Sequence, residues 1–337
     1  MILNIKKYHD KLSLCIFGIC INFSNKTLKK IYTAKSTKEL EIIFDNVVKR
    51  GIQDYSNHVW IEYIKFLILQ KDYSNAKNQL EKYLKKYKNL KDIDRYLIVA
   101  NFAKKNGFSN KNIEIATSIY ENLKFNTENN LFLKLASGKN VAIVGNGPSE
   151  IGKGLGDEID SHDIVIRFNN YPVNRIIKDY GKKIDIHITI NAQKILTNIE
   201  DNNIKLINFS TDITKNYLLD GYLEYLNKSL KSGISLSYFS DNLIDFVKNT
   251  AKLRNTPTSG FITLINLYKN KEKYGIKNIN CYGFSFRQKD INNNGIHYYE
   301  KNTIFDKQLK HSFVSESEYI KKHLLKNFME GNNVKRS

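Results

Sequence analysis

From residue 35 to residue 130 the apolar positions recur at helical spacing. The segment HVWIEYIKFLILQ (58–70) offers Trp60, Ile64, Phe66, Leu67 and Leu69 as core candidates. AKNQLEKYLKKY (76–87) is amphipathic, with Leu80, Tyr83 and Leu84 on one face. Residues 92–105 and 110–123 predict two further helices, parted by Asn106-Gly107. The breaks at Lys71-Asp72-Tyr73 and Asn106-Gly107-Phe108 lie about 35 residues apart, near the period of helix-hairpin repeats. Two copies predict a small helical bundle rather than a solenoid. Upstream, LSLCIFGICINF (12–23) alternates around Gly18 and predicts a short hairpin, packed on the core or touching a membrane face. Lys6, Lys7 and Lys11 precede it, as in a signal peptide, but Ser24-Asn25-Lys26 offers no small-residue cleavage site.

The texture changes after the polar break NTENN (126–130). Strand patterns at 141–145, 163–168, 183–190, 204–210, 234–239 and 279–286 alternate with helical patterns at 191–200, 212–230, 240–253 and 260–273. Such alternation predicts an α/β layer fold around a mostly parallel sheet. The expected organisation is a short apolar hairpin or leader (1–34), a helical region (35–130), an α/β domain (131–330) and a loose tail (331–337).

Composition sharpens this in three ways. The chain has 337 residues, 41% of them hydrophobic, enough for a sizeable core, and no apolar run is long enough to span a bilayer. Its 3 cysteines, Cys15, Cys20 and Cys281, make neither a disulfide framework nor a zinc spacing, which points to a reducing compartment. Lys and Arg number 53 against 34 Asp and Glu, a formal net charge of +19. That excess favours an anionic partner, but it is almost all Lys, the weaker bidentate reader of phosphates and bases. A solvated Lys-rich surface is therefore put ahead of nucleic-acid binding.

The candidate chemistry lies in the second half. Gly145-Asn146-Gly147-Pro148-Ser149 follows an apolar strand, where α/β folds place their ligands. Glycines at 145, 147, 152, 154 and 156 give neither the dinucleotide fingerprint nor a P-loop. Asp160-Ser161-His162-Asp163 precedes the next strand and Arg167-Phe168-Asn169-Asn170 ends it. Asn offers a donor and an acceptor to a pyrimidine or ribose edge, while Arg167 is expected to pair within the fold. Thr256-Pro257-Thr258-Ser259-Gly260 opens an apolar helix, and helix N-termini cap with Thr or Ser and favour anions. GIHYYE places His297 beside two tyrosines, and HSFVSE sets His311 five residues before Glu316.

In order and together these four segments resemble the four sialyl motifs of glycosyltransferase family 29, the animal-type sialyltransferases. The long motif resembles 141–172, from the Gly-Asn turn through Asp160-x-His162-Asp163 to Arg167-x-Asn169. The short motif resembles 256–286, with Pro257-Thr258-Ser259-Gly260, an apolar helix and Tyr282-Gly283-Phe284. His297-Tyr298-Tyr299-Glu300 is similar to the third motif, and His311 with Glu316 to the fourth. The likeness covers about the last 200 residues. The family's cysteine in the long motif is replaced here by Val141 or Asn140, so its disulfide to the short motif is absent and Cys281 has no partner there. This suits a cytoplasmic, bacterial enzyme.

The resemblance implies a Rossmann-like, GT-A-variant glycosyltransferase fold and inverting transfer of sialic acid from CMP-sialic acid to a sugar hydroxyl. It implies that Asn146, Asn169 and Ser149 bind the CMP moiety, and that the short motif, with Gly283, joins the donor site. Thr258, Ser259 and Gly260 would meet the donor's phosphate and carboxylate. His297 would hydrogen-bond the leaving phosphate, and His311 would be the general base. A phosphate monoester leaving group can be served by a histidine and N–H donors. The one Asp-x-Asp considered, Asp92-Ile93-Asp94, lies in a predicted helix far from the motifs. No metal and no cofactor are therefore expected, the CMP-sugar being a substrate. The expected partners are a nucleotide-sugar donor and a glycan or lipid-linked glycan acceptor of the lipooligosaccharide or capsule kind. Peripheral contact with an anionic membrane at its inner face is expected, and nucleic acid is not. Two alternatives stand: another CMP-activated keto-sugar acid as donor (Kdo or a legionaminic-type sugar), or a non-catalytic nucleotide- or nucleic-acid-binding protein.

Overall fold

The computed structural model describes residues 4–8, 11–16, 19–24, 27, 30–31, 34, 36–52, 56–87, 90, 92–169, 171, 176–190, 203–284 and 313–324. The chain divides into two compact units, Met1–Thr117 and Ser118–Ser337.

In the first unit, strands β1 (Asn4–Tyr8), β2 (Lys11–Ile16) and β3 (Ile19–Ser24) form an antiparallel sheet in that order. Helices α1 (Thr37–Lys49), α2 (Asn57–Leu69), α3 (Tyr73–Tyr87) and α4 (Leu97–Lys105) follow. The Ser36 hydroxyl caps α1 by accepting the Glu39 N–H at 3.2 Å. Trp60 sets its ring edge-on to Tyr83, 5.8 Å between centroids, and donates Nε1–H to Gln79 at 3.1 Å. Leu69, a core candidate by its spacing, is exposed. Residues 92–95 are turns, so α4 begins later than the pattern predicts. The reason is local: the Asp92 and Asp94 carboxylates accept from Asn57 and Asn112 instead of lying on a helix face.

Helix α5 (Lys111–Glu128) runs past the boundary between the units, and α6 (Leu131–Ala136) leads into the α/β unit. Six parallel strands follow: β4 (Asn140–Val144), β5 (Ile164–Phe168), β6 (Ile186–Thr189), β7 (Leu206–Phe209), β8 (Ser235–Tyr238) and β9 (Asn278–Tyr282). Their order is β8-β7-β6-β5-β4-β9. The connecting helices are α7 (Gly156–Asp160), α8 (Ile177–Tyr180), α9 (Tyr222–Lys231), α10 (Asp241–Thr250) and α11 (Ser259–Lys269). Helix α12 (Phe313–His323) comes last. The parallel α/β sheet expected from the sequence is found, while the helix predicted at 191–200 lies outside the described residues.

Both faces of the sheet are covered, which is why its strands read as nearly continuous apolar runs. Val141, Ile143, Ile164, Ile166, Ile186 and Ile188 pack against residues of α6, α10, α11 and α12. Ala142, Val144 and Val165 face the other way, onto Ile159 of α7 and Tyr180 of α8. The edge strand β8 is closed by side chains of α5. Asn122 accepts the Leu236 N–H and Asn126 donates to the Leu236 carbonyl, while Thr127 accepts the Tyr238 N–H. These amides and hydroxyl take the place of a seventh strand.

The winding decides where a ligand can sit. From β4 the chain steps outward through β5, β6, β7 and β8, then returns to add β9 on the far side of β4. Strand β4 is thus the switch point, and the loops beyond its carboxyl end open the crevice in which α/β sheets bind ligands.

Candidate active site

Two loops meet at that switch point. The Gly145 N–H donates to the Tyr282 carbonyl and the Gly147 N–H to the Gly283 carbonyl, both at 2.7 Å. The approach excludes side chains: a Cβ on Gly145 would stand 2.6 Å from the Gly283 oxygen, and one on Gly283 2.2 Å from the Gly145 oxygen. Gly283 also has φ +67°, which only glycine adopts without strain. The Phe284 ring fills the centre. It lies against Gly145 and Gly260, where a Cβ would meet it at 3.2 and 2.9 Å, and edge-on to Phe168 at 6.3 Å. Long- and short-motif segments, far apart in sequence, therefore surround one aromatic ring.

Asn146 joins the β4 loop to the β5 exit by donating Nδ2–H to the Phe168 carbonyl at 3.0 Å. Ser149 donates its hydroxyl to Glu150 Oε1 at 2.7 Å, which leaves its oxygen able to accept from a ligand hydroxyl. Glu150 also accepts the Gly283 N–H at 3.2 Å and pairs with Lys153 at 3.0 Å. Burial works against this carboxylate, but the Ser149 hydroxyl, Lys153 and the Gly283 N–H together hold its pKa below the usual range. The Tyr180 hydroxyl donates to the Gly147 carbonyl at 2.5 Å and accepts the Glu150 N–H at 3.1 Å. Gly283 thus serves the loop through its backbone, its N–H being taken by Glu150.

At the β5 exit Asn169 adopts φ +48°. Its N–H donates to the Ile188 carbonyl and its own carbonyl accepts Nε2–H of His187, each at 2.8 Å. Burial lowers the pKa of His187 to about 4, against the opposing pull of the Asn169 carbonyl, so the ring is neutral. Arg167 behaves as its sequence context suggests. It is buried and donates to the Lys183 and Tyr180 carbonyls at 2.9 and 2.6 Å, with Asp160 4.0 Å away. The other polar residues of this segment are also spent internally. Asp160 accepts the Lys182 and Lys183 N–H groups, Asp163 accepts the Asn140 N–H, and His162 sits edge-on to Tyr282. Asn146–Ser149 and Asn169 follow the carboxyl ends of β4 and β5, the end of an α/β sheet at which ligands bind.

The third wall is the start of α11. Thr258 is its N-cap, accepting the Phe261 N–H at 3.2 Å. The Thr258 hydroxyl donates to Glu316 Oε2 at 2.7 Å, and its N–H to Oε1 at 2.8 Å. The Ser259 hydroxyl shares a hydrogen with that of Ser210 at 2.6 Å. The Thr258 hydroxyl therefore serves as a cap. The Ser259 and Gly260 N–H groups, at the first two positions of α11, have no carbonyl one turn back, which is the kind of donor an anion can take.

Asn146, Ser149, Asn169, Thr258, Ser259, Gly260 and Gly283 thus lie on the strand exits and the helix start that border the Phe284 ring. His297, His311 and Asn170 lie outside the described residues. Sequence reasoning overlooked Glu150, Tyr180, His187 and Ser210, which bind those residues from behind. A carboxylate next to the glycine turn was the one signal available for any of them.

The family model for glycosyltransferase family 29 (sialyltransferase) matches residues 83–327. The chain belongs to this family. Among curated members, beta-galactoside alpha-2,6-sialyltransferase 2 of Gallus gallus is 49% identical over 57 residues, 17% of this chain and 10% of that protein. The Homo sapiens protein of the same name is 47% identical over 60 residues, 18% of this chain and 11% of its own length. The matched stretch thus covers about a tenth of these family-29 relatives. A crystal structure of a mammalian sialyltransferase is 18% identical, covering 62% of this chain and 74% of that one, with TM-score 0.44.

Proposed function

We propose that this family-29 chain is an inverting glycosyltransferase that moves sialic acid from CMP-sialic acid to a glycan hydroxyl. The observation that carries the reading is the convergence of both long-motif ends, the α11 N-terminus and the β9 exit around Phe284 at the sheet's switch point. Asn146, Asn169 and the Ser149 oxygen take the cytidine and ribose. The Ser259 and Gly260 N–H groups take the phosphate, whose charge grows as the glycosidic bond breaks; preorganised donors of this kind stabilise it without reorganisation. His297 adds a donor to that phosphate. His311 accepts the proton of the acceptor hydroxyl, a task suited to a group titrating near neutrality. Glu316, five residues after His311 in the sequence, supports the reading by tying α12 to Thr258 at the start of α11.

The chemistry needs no metal, because the leaving group is a phosphate monoester served by these donors. The acceptor in this reading is a lipid-linked glycan of a bacterial surface polysaccharide. The enzyme works in the cytoplasm against the inner face of the membrane, where a net charge of +19 is attracted to anionic headgroups.

The test is release of CMP from CMP-sialic acid in the presence of EDTA, by wild type and by His311→Ala. The expected result is turnover by wild type and a loss of about 10² or more in the variant. Turnover abolished by EDTA would contradict metal independence. CMP binding without turnover would redirect the search to another CMP-activated keto-sugar acid. A failure to bind CMP would leave a basic, non-transferring protein.

A further inference from the structure

We propose that His187, outside all four motifs, is a positioning residue for the nucleotide donor: its imidazole N–H locks the backbone of Asn169 so that the amide is presented to the crevice. The inference rests on the reading of Asn169 as a donor contact. Asn169 lies in the left-handed region, with φ +48°, which asparagine tolerates better than most side chains but which still costs more than an ordinary backbone and is here held by its neighbours. Both of its backbone groups are held by one strand, β6. The N–H bonds to the Ile188 carbonyl and the carbonyl to His187 Nε2, each at 2.8 Å. The clamp thus comes from the middle of the sheet rather than from a loop, the rigid support a binding group needs.

Two details separate this from a histidine that merely fills the core. His187 has no solvent exposure, yet its Nδ1 has no hydrogen-bond partner among the described residues. A residue chosen for packing would be apolar, as Ile186 and Ile188 beside it are. Beyond its edge-on packing on Tyr171 at 5.4 Å, the hydrogen bond the ring makes among the described residues is the one from Nε2–H to Asn169. At the other end of the contact, the Asn169 Oδ1 is also buried and lacks a partner among the described residues. A buried acceptor left open is costly until a donor arrives, and a cytidine amino group or ribose hydroxyl is such a donor.

The test is CMP affinity by calorimetry on the full chain, for wild type, His187→Gln, His187→Asn, His187→Met and Asn169→Gly, and for the last two combined. Glutamine can place an N–H where Nε2 stands; asparagine is too short, and methionine has no donor. The expected result is affinity within about threefold of wild type for His187→Gln and a loss of about tenfold for His187→Asn and His187→Met. Glycine at 169 admits the left-handed backbone unaided, so His187→Met should then cost less than about twofold more. Wild-type affinity in His187→Met, or an undiminished loss on the Asn169→Gly background, would overturn the proposal. If His187→Met does not fold, the contrast between glutamine and asparagine decides. Wild type failing to bind CMP would overturn the donor reading itself, and this inference with it. CMP binding undisturbed by Asn169→Gly would remove Asn169 as the contact while leaving the enzyme reading intact.

Discussion

Glu316 stands 58 residues from Thr258 in sequence, yet both of its carboxylate oxygens are used on that one residue. A buried carboxylate accepting two hydrogen bonds is worth more than the same contact in water, and removing it leaves an N–H and a hydroxyl to find other partners. Glu316→Ala should therefore cost roughly 2 kcal/mol of stability. It should also lower kcat/KM for the donor by about tenfold or more, because the first turn of α11 loses its anchor and the anion-binding N–H groups their fixed direction. Denaturant titration and steady-state kinetics on one preparation check both. A loss of stability with unchanged kinetics would confine Glu316 to holding the fold. At this scale the sequence was half legible. Thr258 as a cap and Arg167 as an internal partner follow from residue type. That Glu316 is what Thr258 holds does not, because nothing in either segment names the other.

At the scale of elements, β4, β5 and β7 were legible because each is a largely apolar run buried along nearly its whole length. Short connecting helices were not. Gly156–Asp160 and Ile177–Tyr180 are too short to show a helical period, and of the helix the pattern predicts over 212–230 only the part after Gly221, φ +78°, is α-helical, a single 3-10 turn at Ile213–Lys215 preceding it. The predicted strand at 279–286 ends at Tyr282 for a similar reason, because Gly283 turns the backbone toward Gly145. That crossing of two loops is where an element can be tested. Gly283→Ala combines a left-handed φ with a Cβ 2.2 Å from a backbone oxygen that no side-chain rotation can relieve. It should destabilise by roughly 2–4 kcal/mol, seen as a lower melting temperature. It should also abolish CMP binding in the protein that remains folded, since separating the loops moves Asn146 away from the Phe168 carbonyl. Gly138→Ala is the matched control: its φ is also positive, +69°, but its Cβ would meet nothing within 4 Å, so only the conformational cost remains. Equal losses for the two would show that strain, not the contact between the loops, is what matters.

At the scale of the whole molecule, 53 basic against 34 acidic side chains mean that acidification adds charge to a chain already strongly positive. Self-repulsion of this kind destabilises the compact state as carboxylates neutralise, and salt screens it. His187 adds a separate acid sensitivity that salt does not reach. In the fold burial holds its pKa near 4, whereas the unfolded chain titrates at the ordinary value, about 6.5. Above pH 6.5 both states are neutral and contribute no pH dependence. Between 6.5 and 4 the unfolded state takes up a proton that the folded state refuses, so stability falls as pH falls; below 4 the loss is complete, at roughly 3 kcal/mol. Denaturation midpoints at pH 7.0 and 4.5 should thus differ for wild type by roughly 2–3 kcal/mol more than for His187→Gln, which cannot titrate. Because the screened repulsion is common to both proteins, the difference between them should persist at 1 M salt while the shared loss shrinks. A difference that vanishes with salt would place the acid sensitivity on the lysine-rich surface and not on the buried ring behind Asn169.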